Sequence, residues 1–572
     1  MFLRFVCGRH AKPIVSYPVR TIVSSRSASA RKTWGLARIG LTTGAALTTS
    51  VLLANALGTI HADAEHLEHK AQSERPSTPL SALLRSYVVY SLCSIPPLVD
   101  WSPVILSTVS AIPGLKQITE AIVRNTFFDQ FVGGDTAEDA VPLLEQLRAE
   151  NKGCLFAYSV EVDEGEAAGK AKESAKQSVH KQIVAETLHC IDVAADFEDK
   201  HSLDGGRDLR GRKTWVAIKL TAMLPHAQTL TNFSKFLLST RPSVSPPVPF
   251  PGRPLVSDFG VLSAYPASGS PLTETDVADL RELRDDLRAI CQRAKERGVR
   301  IIIDAEHRSV APAIDAFALS LQREFNKLQS RSSSWFRSSS SSDTSTVQPL
   351  VYQTYQAYLR RTPEYLRQSL EVARADGYSL GVKLVRGAYH PHELGSHTTR
   401  GAPNALSISP DFAPPVWATK PETDACYNTC AALVLAQIRA DIGRSRTGAT
   451  PSVGVLFGTH NWESCDMILE QLRMLGMARA DEDGALWMPE DVTERVAIGQ
   501  LYGMSDALTN SLVDRTRCTS PFVIKYIPYG RLAEVMPYLS RRAIENKSVL
   551  GNGGAADERK RAGMELWNRL FG

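Results

Sequence analysis

The chain has 572 residues, of which 43% are hydrophobic and 22% charged, a composition typical of a soluble globular enzyme with one large domain and appendages. Its formal net charge of +4 is uneven, because residues 1–62 hold eight Lys and Arg but no Asp or Glu. Without those eight charges the remainder carries −4, and a mildly acidic body gives no reason to expect a nucleic-acid partner.

Residues 1–62 form the first predicted segment. Their Arg- and Ser-rich, acid-free composition is typical of a mitochondrial transit peptide, with a disordered basic tail as the alternative. Residues 39–60 are uncharged and long enough to span a bilayer, but Thr, Gly and Asn dilute their hydrophobicity. We interpret this run as part of the leader or as a weak membrane anchor.

Residues 63–150 are predicted to form an N-terminal helical arm that can associate with a membrane. Residues 87–115 are apolar, but four prolines and Asp100 interrupt them, so a core or interfacial segment fits better than a spanning helix. Residues 115–151 follow a helical pattern. Within it, Thr136 and Asp139 have the spacing of a capping box before a helix at 140–150.

From residue 151 onward, short β-branched or aromatic runs alternate with amphipathic helical patterns. Eight such runs, with a last helix at 531–547, predict one (β/α)8 TIM-type barrel domain over 151–572, and a doubly wound open sheet is the alternative. The predicted strands are 154–160, 214–220, 299–304, 350–355, 380–385, 453–457, 496–501 and 522–526. Pro- or Ser-rich inserts at 241–254, 330–346 and 402–415 cannot bury a core, so we predict surface loops that lengthen the barrel.

Polar or aromatic side chains stand at the ends of seven of the eight predicted strands. Because the carboxyl ends of barrel strands carry the active site, we expect a ligand site there. The residues are Lys219, Thr221, Asp304, Glu306, His307, Gln353, Tyr355, Lys383, Arg386, Tyr389, Thr459, His460, Asn461, Gln500, Tyr502 and Tyr526.

The last predicted helix carries a second cluster. Tyr538, Arg541, Arg542 and Glu545 are spaced i, i+3, i+4 and i+7, so they share one face. Two adjacent guanidinium groups repel each other unless an anion lies between them, and their planar forks suit a carboxylate. Glu545 can neutralise only one of them. The pattern therefore predicts a small carboxylate substrate.

Other motifs indicate phosphate binding or carry no function. The run 459–461 offers hydrogen-bond donors suited to a pyrophosphate, and Gly387 lets a large group approach the backbone. The glycine-rich run 551–556 mimics a dinucleotide fingerprint, but that fingerprint needs a preceding strand, so we predict a C-terminal loop. We interpret the nine Cys as reduced thiols, and His390 with His392 as part of a surface loop rather than a metal site.

Four motifs in this order resemble the proline dehydrogenase (proline oxidase) family, specifically its mitochondrial type, over about residues 115–550. They are Lys383-Leu-Val-Arg-Gly-Ala-Tyr389, Gly458-Thr-His-Asn461, Tyr526-Ile-Pro-Tyr-Gly530 and Tyr538-Leu-Ser-Arg-Arg-Ala-Ile-Glu-Asn546. The resemblance implies a distorted (β/α)8 barrel that holds FAD non-covalently and oxidises L-proline to Δ1-pyrroline-5-carboxylate, with hydride transfer from C5 to flavin N5. It also implies membrane quinone as electron acceptor, and hence peripheral association with the matrix side of the mitochondrial inner membrane.

The resemblance assigns roles residue by residue. Asp304 and Lys383 would be catalytic, and no residue would bind a metal. The substrate would contact Lys219, Tyr389, Tyr526, Tyr538, Arg541 and Arg542, with the two Arg side chains clamping its carboxylate and Glu545 forming a structural ion pair. FAD would contact Ala305, Gln353, Lys383, Arg386, Gly387, Ala388, Thr459 and His460.

Two positions bear on the details of this assignment. Lys383 and Arg386 are interchanged relative to bacterial members, as in the eukaryotic branch, and Lys cannot make the bidentate contact that Arg makes. Hydroxyproline oxidases of the family carry Ser where Tyr526 stands, which leaves room for the ring hydroxyl, so Tyr526 favours proline. Asp304 and water are the two candidate proton acceptors.

Three alternatives remain open at this point. The first is a hydroxyproline oxidase of the same family. The second is a flavin-free barrel lyase or aldolase that forms a Schiff base through Lys219 or Lys383. The third is a catalytically inactive, membrane-associated binding protein.

Overall fold

The structure is a computed structural model. It describes residues 78–110, 112, 114–159, 176–202, 209–263, 269–328, 347–390, 393, 413–444, 451–549 and 554–571. The predicted leader 1–62 and the insert 330–346 lie outside the described residues, as do residues 402–412 of the third insert. The Pro-rich insert 241–254 is described, and it contains no helix or strand.

Eight parallel strands close into a barrel, which confirms the predicted (β/α)8 fold and excludes the open sheet. The strands are β1 Lys152–Tyr158, β2 Thr214–Ile218, β3 Ile301–Ile303, β4 Val351–Gln356, β5 Leu380–Val385, β6 Val453–Gly458, β7 Val496–Leu501 and β8 Val523–Tyr529. Because β1 pairs with both β2 and β8, the barrel has no unpaired edge. β8 continues three residues beyond its predicted end at Tyr526.

Helices precede and surround the barrel. They are α1 Leu80–Cys93, α2 Pro96–Ser110, α3 Leu115–Val123, α4 Asp129–Phe131, α5 Val141–Ala149, α6 Lys176–His201, α7 Gln228–Thr240, α8 Glu274–Arg297, α9 Ala311–Phe325, α10 Thr362–Asp376, α11 Lys420–Arg444, α12 Trp462–Met474, α13 Glu490–Thr493, α14 Asp506–Asp514, α15 Leu532–Val549 and α16 Gly554–Phe571. A π-helical turn at Arg124–Phe128 joins α3 to α4, and short 3-10 helices occupy Leu220–Met223 and Val256–Ser263. A small separate sheet pairs Arg479–Ala480, Leu486–Trp487 and Thr516–Arg517.

One local prediction is wrong. The run 551–556 does not remain a loop from Gly554 onward, because α16 starts there and continues to Phe571. Gly563 of α16 packs closely against the ring of Tyr87 in α1, and such tertiary packing outweighs the weak helix propensity of Gly. The helix predicted at 140–150 is present as α5. Thr136 and Asp139 exchange the expected reciprocal hydrogen bonds of 3.2 and 3.1 Å, and they close the turn that precedes α5.

The interior of the barrel is filled at its lower and middle levels by side chains from alternate strand positions. Trp215 and Tyr352 are the largest of them, with ring centroids 5.2 Å apart. The apolar set is Leu155, Ala157, Trp215, Ala217, Ile302, Tyr352, Leu456, Ala497 and Ile524, with Tyr526 packed against it. Since this plug leaves no channel, a ligand site must lie above it, at the carboxyl ends of the strands.

The N-terminal arm packs on α15. Phe131 and Val89 belong to the same buried cluster as Val535 and Leu539 of α15, so the arm holds that helix in place after β8. Among the described residues, no helix alone has the length and apolar composition needed to span a membrane. α1 together with the start of α2 meets those criteria as a pair, but the two are bent by 87°.

Candidate active site

Asp304, directly beyond β3, accepts hydrogen bonds on both carboxylate oxygens. Lys383 of β5 donates from Nζ to Oδ1 at 2.6 Å, and Tyr526 of β8 donates from its hydroxyl to Oδ2 at 2.9 Å. Only 11% of each of the Asp304 and Lys383 side chains is exposed. Burial, followed by the charge of Asp304, raises the pKa of Tyr526 well above its usual value, so the phenol stays protonated. We call these three residues the Asp304 cluster.

Strand alternation brings the Asp304 cluster together. Ile302 and Ile524 face the barrel interior, and the residues two positions later are Asp304 and Tyr526, which face the same way. Lys383 is likewise two residues beyond Gly381, whose backbone lies against Tyr352. The three polar side chains thus form the first layer above the apolar plug.

Lys219 and Glu306 extend this layer beside β2 and β3. Lys219 is half-buried and follows interior Ala217 by two residues. Glu306 is buried and accepts hydrogen bonds from the backbone N–H of Thr221, at 3.1 Å, and from its hydroxyl. Burial raises the pKa of Glu306, while the hydrogen bonds from Thr221 and the charge of Lys219 act in the opposite direction. Glu306 therefore ties the loop after β2 to the loop after β3.

The face of α15 carries the paired guanidinium groups. Arg542 is 3% exposed, and its Nη1 and Nη2 lie 2.5 and 2.6 Å from the two carboxylate oxygens of Glu545. Arg541 donates from Nη1 to the hydroxyl of Tyr389 at 3.2 Å. The Cζ atoms of Arg541 and Arg542 lie 6.0 and 5.0 Å from the ring centroid of buried Tyr538. The structure thus pairs Glu545 with Arg542 and links α15 to the loop after β5.

A buried ion pair fixes the loop that presents Tyr389. Glu393 accepts from the backbone N–H of Arg308 at 3.0 Å, and its other oxygen lies 3.1 Å from Arg308 Nε. The backbone N–H of Glu393 donates to the carbonyl of Tyr389 at 2.9 Å. The Tyr389 ring centroid lies 4.1 Å from that of His307. Tyr389 is therefore held between the β3 loop and Arg541 of α15.

Arg386 braces the edge between β5 and β6 with all three of its guanidinium nitrogens. It donates to Asp424 from Nε at 2.6 Å, to Thr459 from Nη1 at 2.7 Å and to Ser464 from Nη2 at 2.8 Å. Its Cζ lies 4.4 Å from the ring centroid of Tyr427. Arg386 and Thr459 are thus direct neighbours, as their shared predicted role requires.

His460 is a neutral imidazole in this setting. Burial of most of the ring, followed by the positive charges of Lys525 and Arg542, lowers its pKa to about 3. Its Nδ1 lies 3.0 Å from the hydroxyl oxygen of Ser505. At neutral pH the ring can donate one hydrogen bond and accept another, but it adds no charge.

The loop after β5 requires glycine at position 387. Gly387 has φ +116°, and a Cβ there would lie 1.6 Å from the ring of Tyr358. The close approach brings the backbone of residues 386–388 against the end of β4. Ala388 follows in the same loop, half-buried.

Gln353 does not reach the site. Its Nε2 donates to Asp315 at 2.8 Å and to the hydroxyl of Tyr365 at 2.6 Å, on the helix-facing side of β4. Thr354 and Gln356 have the opposite parity and share the side of interior Tyr352. The amide at the interior end of β4 is therefore that of Gln356. Tyr355, also named among the strand ends, packs among helix-facing residues.

The described part of the chain contains no group of three or more His, Cys, Asp or Glu side chains arranged to hold a metal ion. His390 Nε2 lies 2.7 Å from the carbonyl of Trp417, and His392 lies outside the described residues. The eight described Cys are free thiols, and seven of them are buried.

The family profile described as proline dehydrogenase matches residues 145–552. The chain belongs to the proline dehydrogenase family. It is accordingly an oxidoreductase, and the match includes every barrel strand together with the Arg pair of α15.

Named relatives of this chain divide between two substrates. The rat hydroxyproline dehydrogenase is 29% identical over 490 residues, which cover 86% of this chain and 91% of the relative. The mitochondrial proline dehydrogenase 2 of Arabidopsis thaliana is 27% identical over 498 residues, covering 86% and 89%. The human mitochondrial proline dehydrogenase 1 is 25% identical over 579 residues, covering 85% and 87%.

A solved structure has the same fold. Proline utilization A (PutA) from Bdellovibrio bacteriovorus, inactivated by N-propargylglycine, superposes with a TM-score of 0.53 at 17% sequence identity. The alignment covers 84% of this chain but 44% of the PutA chain, so this chain corresponds to less than half of that protein.

Three residues of this site, Gln356, Asp424 and Glu393, are not among those predicted from the sequence. Gln356 is identifiable from the sequence, because alternate residues of a strand face the same side. Gln356 therefore shares the interior side of β4 with Tyr352, and Gln353 does not. Asp424 and Glu393 lie in segments distant from the strand ends, and only the folded chain brings them to Arg386 and Arg308.

Proposed function

We propose that this enzyme oxidises L-proline to Δ1-pyrroline-5-carboxylate. The observation that supports this most is the Asp304 cluster, three hydrogen-bonded polar side chains from separate strands in one layer above the apolar plug. The Asp304 cluster offers an ammonium, a carboxylate and a phenol in one place, which suits a zwitterionic substrate. Arg541 and Arg542 on α15 suit the carboxylate of that substrate.

We further propose that the site binds FAD non-covalently. The fit rests on the chemistry of the β5–β6 edge, where the guanidinium of Arg386, the hydroxyl of Thr459 and the neutral imidazole of His460 lie together. A cation beside uncharged donors suits a flavin and its pyrophosphate. When bound, FAD would supply the hydride acceptor for proline C5.

The residues that would hold FAD follow the family resemblance with one replacement. Lys383, Arg386, Gly387, Ala388, Thr459 and His460 retain their roles, and Ala305 remains assigned through its position next to Asp304. Gln356 takes the place of Gln353, because Gln353 hydrogen-bonds on the helix-facing side. Lys383 would place a positive charge where negative charge develops during reduction, which stabilises the transition state electrostatically.

The remaining groups would position the substrate. Arg541 and Arg542 would orient the carboxylate, and Tyr389, Tyr526 and Tyr538 would pack against the ring, with Lys219 at the side. The proline nitrogen must lose its proton before its lone pair can stabilise the iminium forming at C5. We assign that proton to water, because both oxygens of Asp304 are engaged with Lys383 and Tyr526.

Hydroxyproline is the second candidate substrate, and similarity to the rat hydroxyproline dehydrogenase favours it. Tyr526 favours proline instead, since its hydroxyl is held by Asp304 and its ring fills space that Ser would leave open. We propose quinone as electron acceptor, and the matrix side of the mitochondrial inner membrane as the location. The relatives named mitochondrial support the organelle.

The purified enzyme is assayed with L-proline or trans-4-hydroxy-L-proline and a water-soluble dye as acceptor, and the cyclic imine is trapped with o-aminobenzaldehyde. We expect turnover that prefers proline. Tyr526→Ser should shift the kcat/KM ratio toward hydroxyproline by about tenfold to a hundredfold. Tyr526→Phe is the matched control, because it removes the hydroxyl but keeps the ring.

The same assay separates the alternatives. If the Ser variant leaves the ratio unchanged, Tyr526 does not set selectivity. If the enzyme turns over neither amino acid but borohydride traps a substrate covalently, the Schiff-base lyase replaces the oxidase.

A further inference from the structure

Exposed large hydrophobic side chains are concentrated on the N-terminal arm. Of the twenty such residues in the described part of the chain, ten lie between Leu80 and Ile122. Six of them form two stripes with the same i, i+3, i+7 spacing, one on α2 and one on α3, and they are 37% to 62% exposed. We call this set the apolar hairpin face; it comprises Leu98, Trp101, Ile105, Leu115, Ile118 and Ile122.

α3 exposes an apolar stripe although it lies against the rest of the described chain. None of its nine residues is buried. Thr119 and Val123 are its least exposed residues, and Val123 packs against the buried cluster that contains Phe131. The apolar stripe itself is 42% to 57% exposed. A surface helix of a globular protein normally turns its apolar stripe to the core. An exposed stripe of this kind marks an interaction surface.

Charge and hydropathy identify the partner as a lipid bilayer surface. Between residues 96 and 123 the only charged residues are Asp100, Lys116 and Glu120, so electrostatic attraction contributes little and apolar burial must supply the affinity. α1 with the start of α2 has the length and apolar composition of a membrane span, yet it is bent by 87°. A bent apolar pair and an amphipathic helix with an exposed Trp suit the interfacial plane.

We propose that the apolar hairpin face inserts into the acyl boundary of one bilayer leaflet and docks the enzyme there. The benefit of docking rests on the proposed function, because it brings the barrel to a lipid-soluble quinone. The insertion itself depends only on the exposed side chains. It requires no anionic lipid, and raised salt leaves it unchanged, since salt screens charges but not apolar burial.

The first test locates Trp101 directly. The full chain is mixed with phosphatidylcholine vesicles whose acyl chains are brominated, and quenching of tryptophan fluorescence is recorded. In the Trp101→Phe variant, the vesicles should quench a smaller fraction of the tryptophan fluorescence than in the parent. Trp487→Phe is the matched control, because Trp487 is also exposed but lies on the small separate sheet. If removing Trp101 leaves the quenching unchanged, the hairpin does not insert.

The second test measures affinity with a triple variant, Trp101→Gln, Ile118→Gln and Ile122→Gln, by sedimentation with vesicles of phosphatidylcholine, with and without phosphatidylglycerol. Full burial of one large apolar side chain raises the partition constant by about tenfold. Because the three side chains are only partly exposed, we expect the triple variant to bind vesicles about 30-fold or more weakly than the parent. The control carries Val256→Gln, Met474→Gln and Trp487→Gln, which are equally exposed elsewhere, and it should bind like the parent.

The outcomes separate this proposal from its rivals and from the proposed function. Binding that needs phosphatidylglycerol and disappears at high salt would replace apolar docking with an electrostatic mode. A dimer that the triple variant abolishes, without vesicle binding, would make the face a contact between two copies. The triple variant should keep turnover with the soluble dye. If no form oxidises proline yet Trp101 is quenched, the docking stands and the proposed function fails.

Discussion

Replacing Asp304 by Asn tests the Asp304 cluster. The substitution keeps the size of the side chain but removes the charge opposite Lys383, whose ammonium lies 2.6 Å away. It also converts the hydrogen bond from Tyr526 from a charge-assisted bond into a neutral one. Because both members of the ion pair are only 11% exposed, water can compensate the stranded ammonium only in part.

The expected cost follows from these contacts. Removing one partner of a buried ion pair costs about 3–5 kcal/mol, and the position of the pair at the open end of the barrel places it near the lower bound, at about 3 kcal/mol. Adding Lys383→Met removes the stranded ammonium. The double variant should then be more stable than the sum of the two single changes predicts, by about 2 kcal/mol.

The assay is urea unfolding at pH 7, followed by far-UV circular dichroism, for the parent, both single variants and the double variant. Glu324→Gln is the matched control, because Glu324 pairs with Arg288 on the exposed surface, where such pairs contribute less than about 1 kcal/mol. If Asp304→Asn costs no more than the control, or if the two changes are additive, the Asp304 cluster is not a buried, coupled unit.

Three further results are expected. Arg541→Ala should chiefly raise KM for proline, because the carboxylate contact acts in the ground state too; an unchanged KM with lost FAD absorbance would contradict this. The pKa of His460, about 3, lies below its ordinary 6.5, so the unfolded chain takes up a proton first and stability falls as pH drops from about 6.5 toward 3, by at most about 1.4 kcal/mol per pH unit. His460→Gln should flatten that slope in urea titrations, and an unaltered slope would show that His460 is not its source. Gly387→Ala should lower the melting temperature more than Gly476→Ala, since both glycines have positive φ but only Gly387 would clash with Tyr358; equal losses would refute the packing argument.

The barrel could be predicted because its signal is local. Each strand is a short β-branched or aromatic run, and amphipathic helices separate most of these runs. The number of strand-and-helix repeats, eight, was therefore sufficient to predict the barrel. α16 could not be predicted in this way. Its first residues are glycine-rich, and its stability comes from packing on α1, which stands more than 450 residues earlier in the chain.

The site was predictable where a residue lies in a strand, or directly beyond it, in register with the interior side chains. Asp304, Lys383 and Tyr526 each follow an interior position by two residues, and they meet. Gln353 shows how this reasoning fails, because a shift of one position along β4 moves a side chain from the interior to the helix-facing side. The partners of Arg386 and Arg308 come from other segments, and no local pattern identifies Asp424 or Glu393.

Visible absorption spectra of the purified enzyme, recorded under anaerobic conditions before and after addition of L-proline, test the cofactor and the substrate together. We expect an oxidised flavin spectrum that bleaches with proline, and bleaches less with hydroxyproline. A folded but colourless protein would contradict the FAD assignment, and a flavin spectrum that neither amino acid bleaches would contradict the proposed substrates.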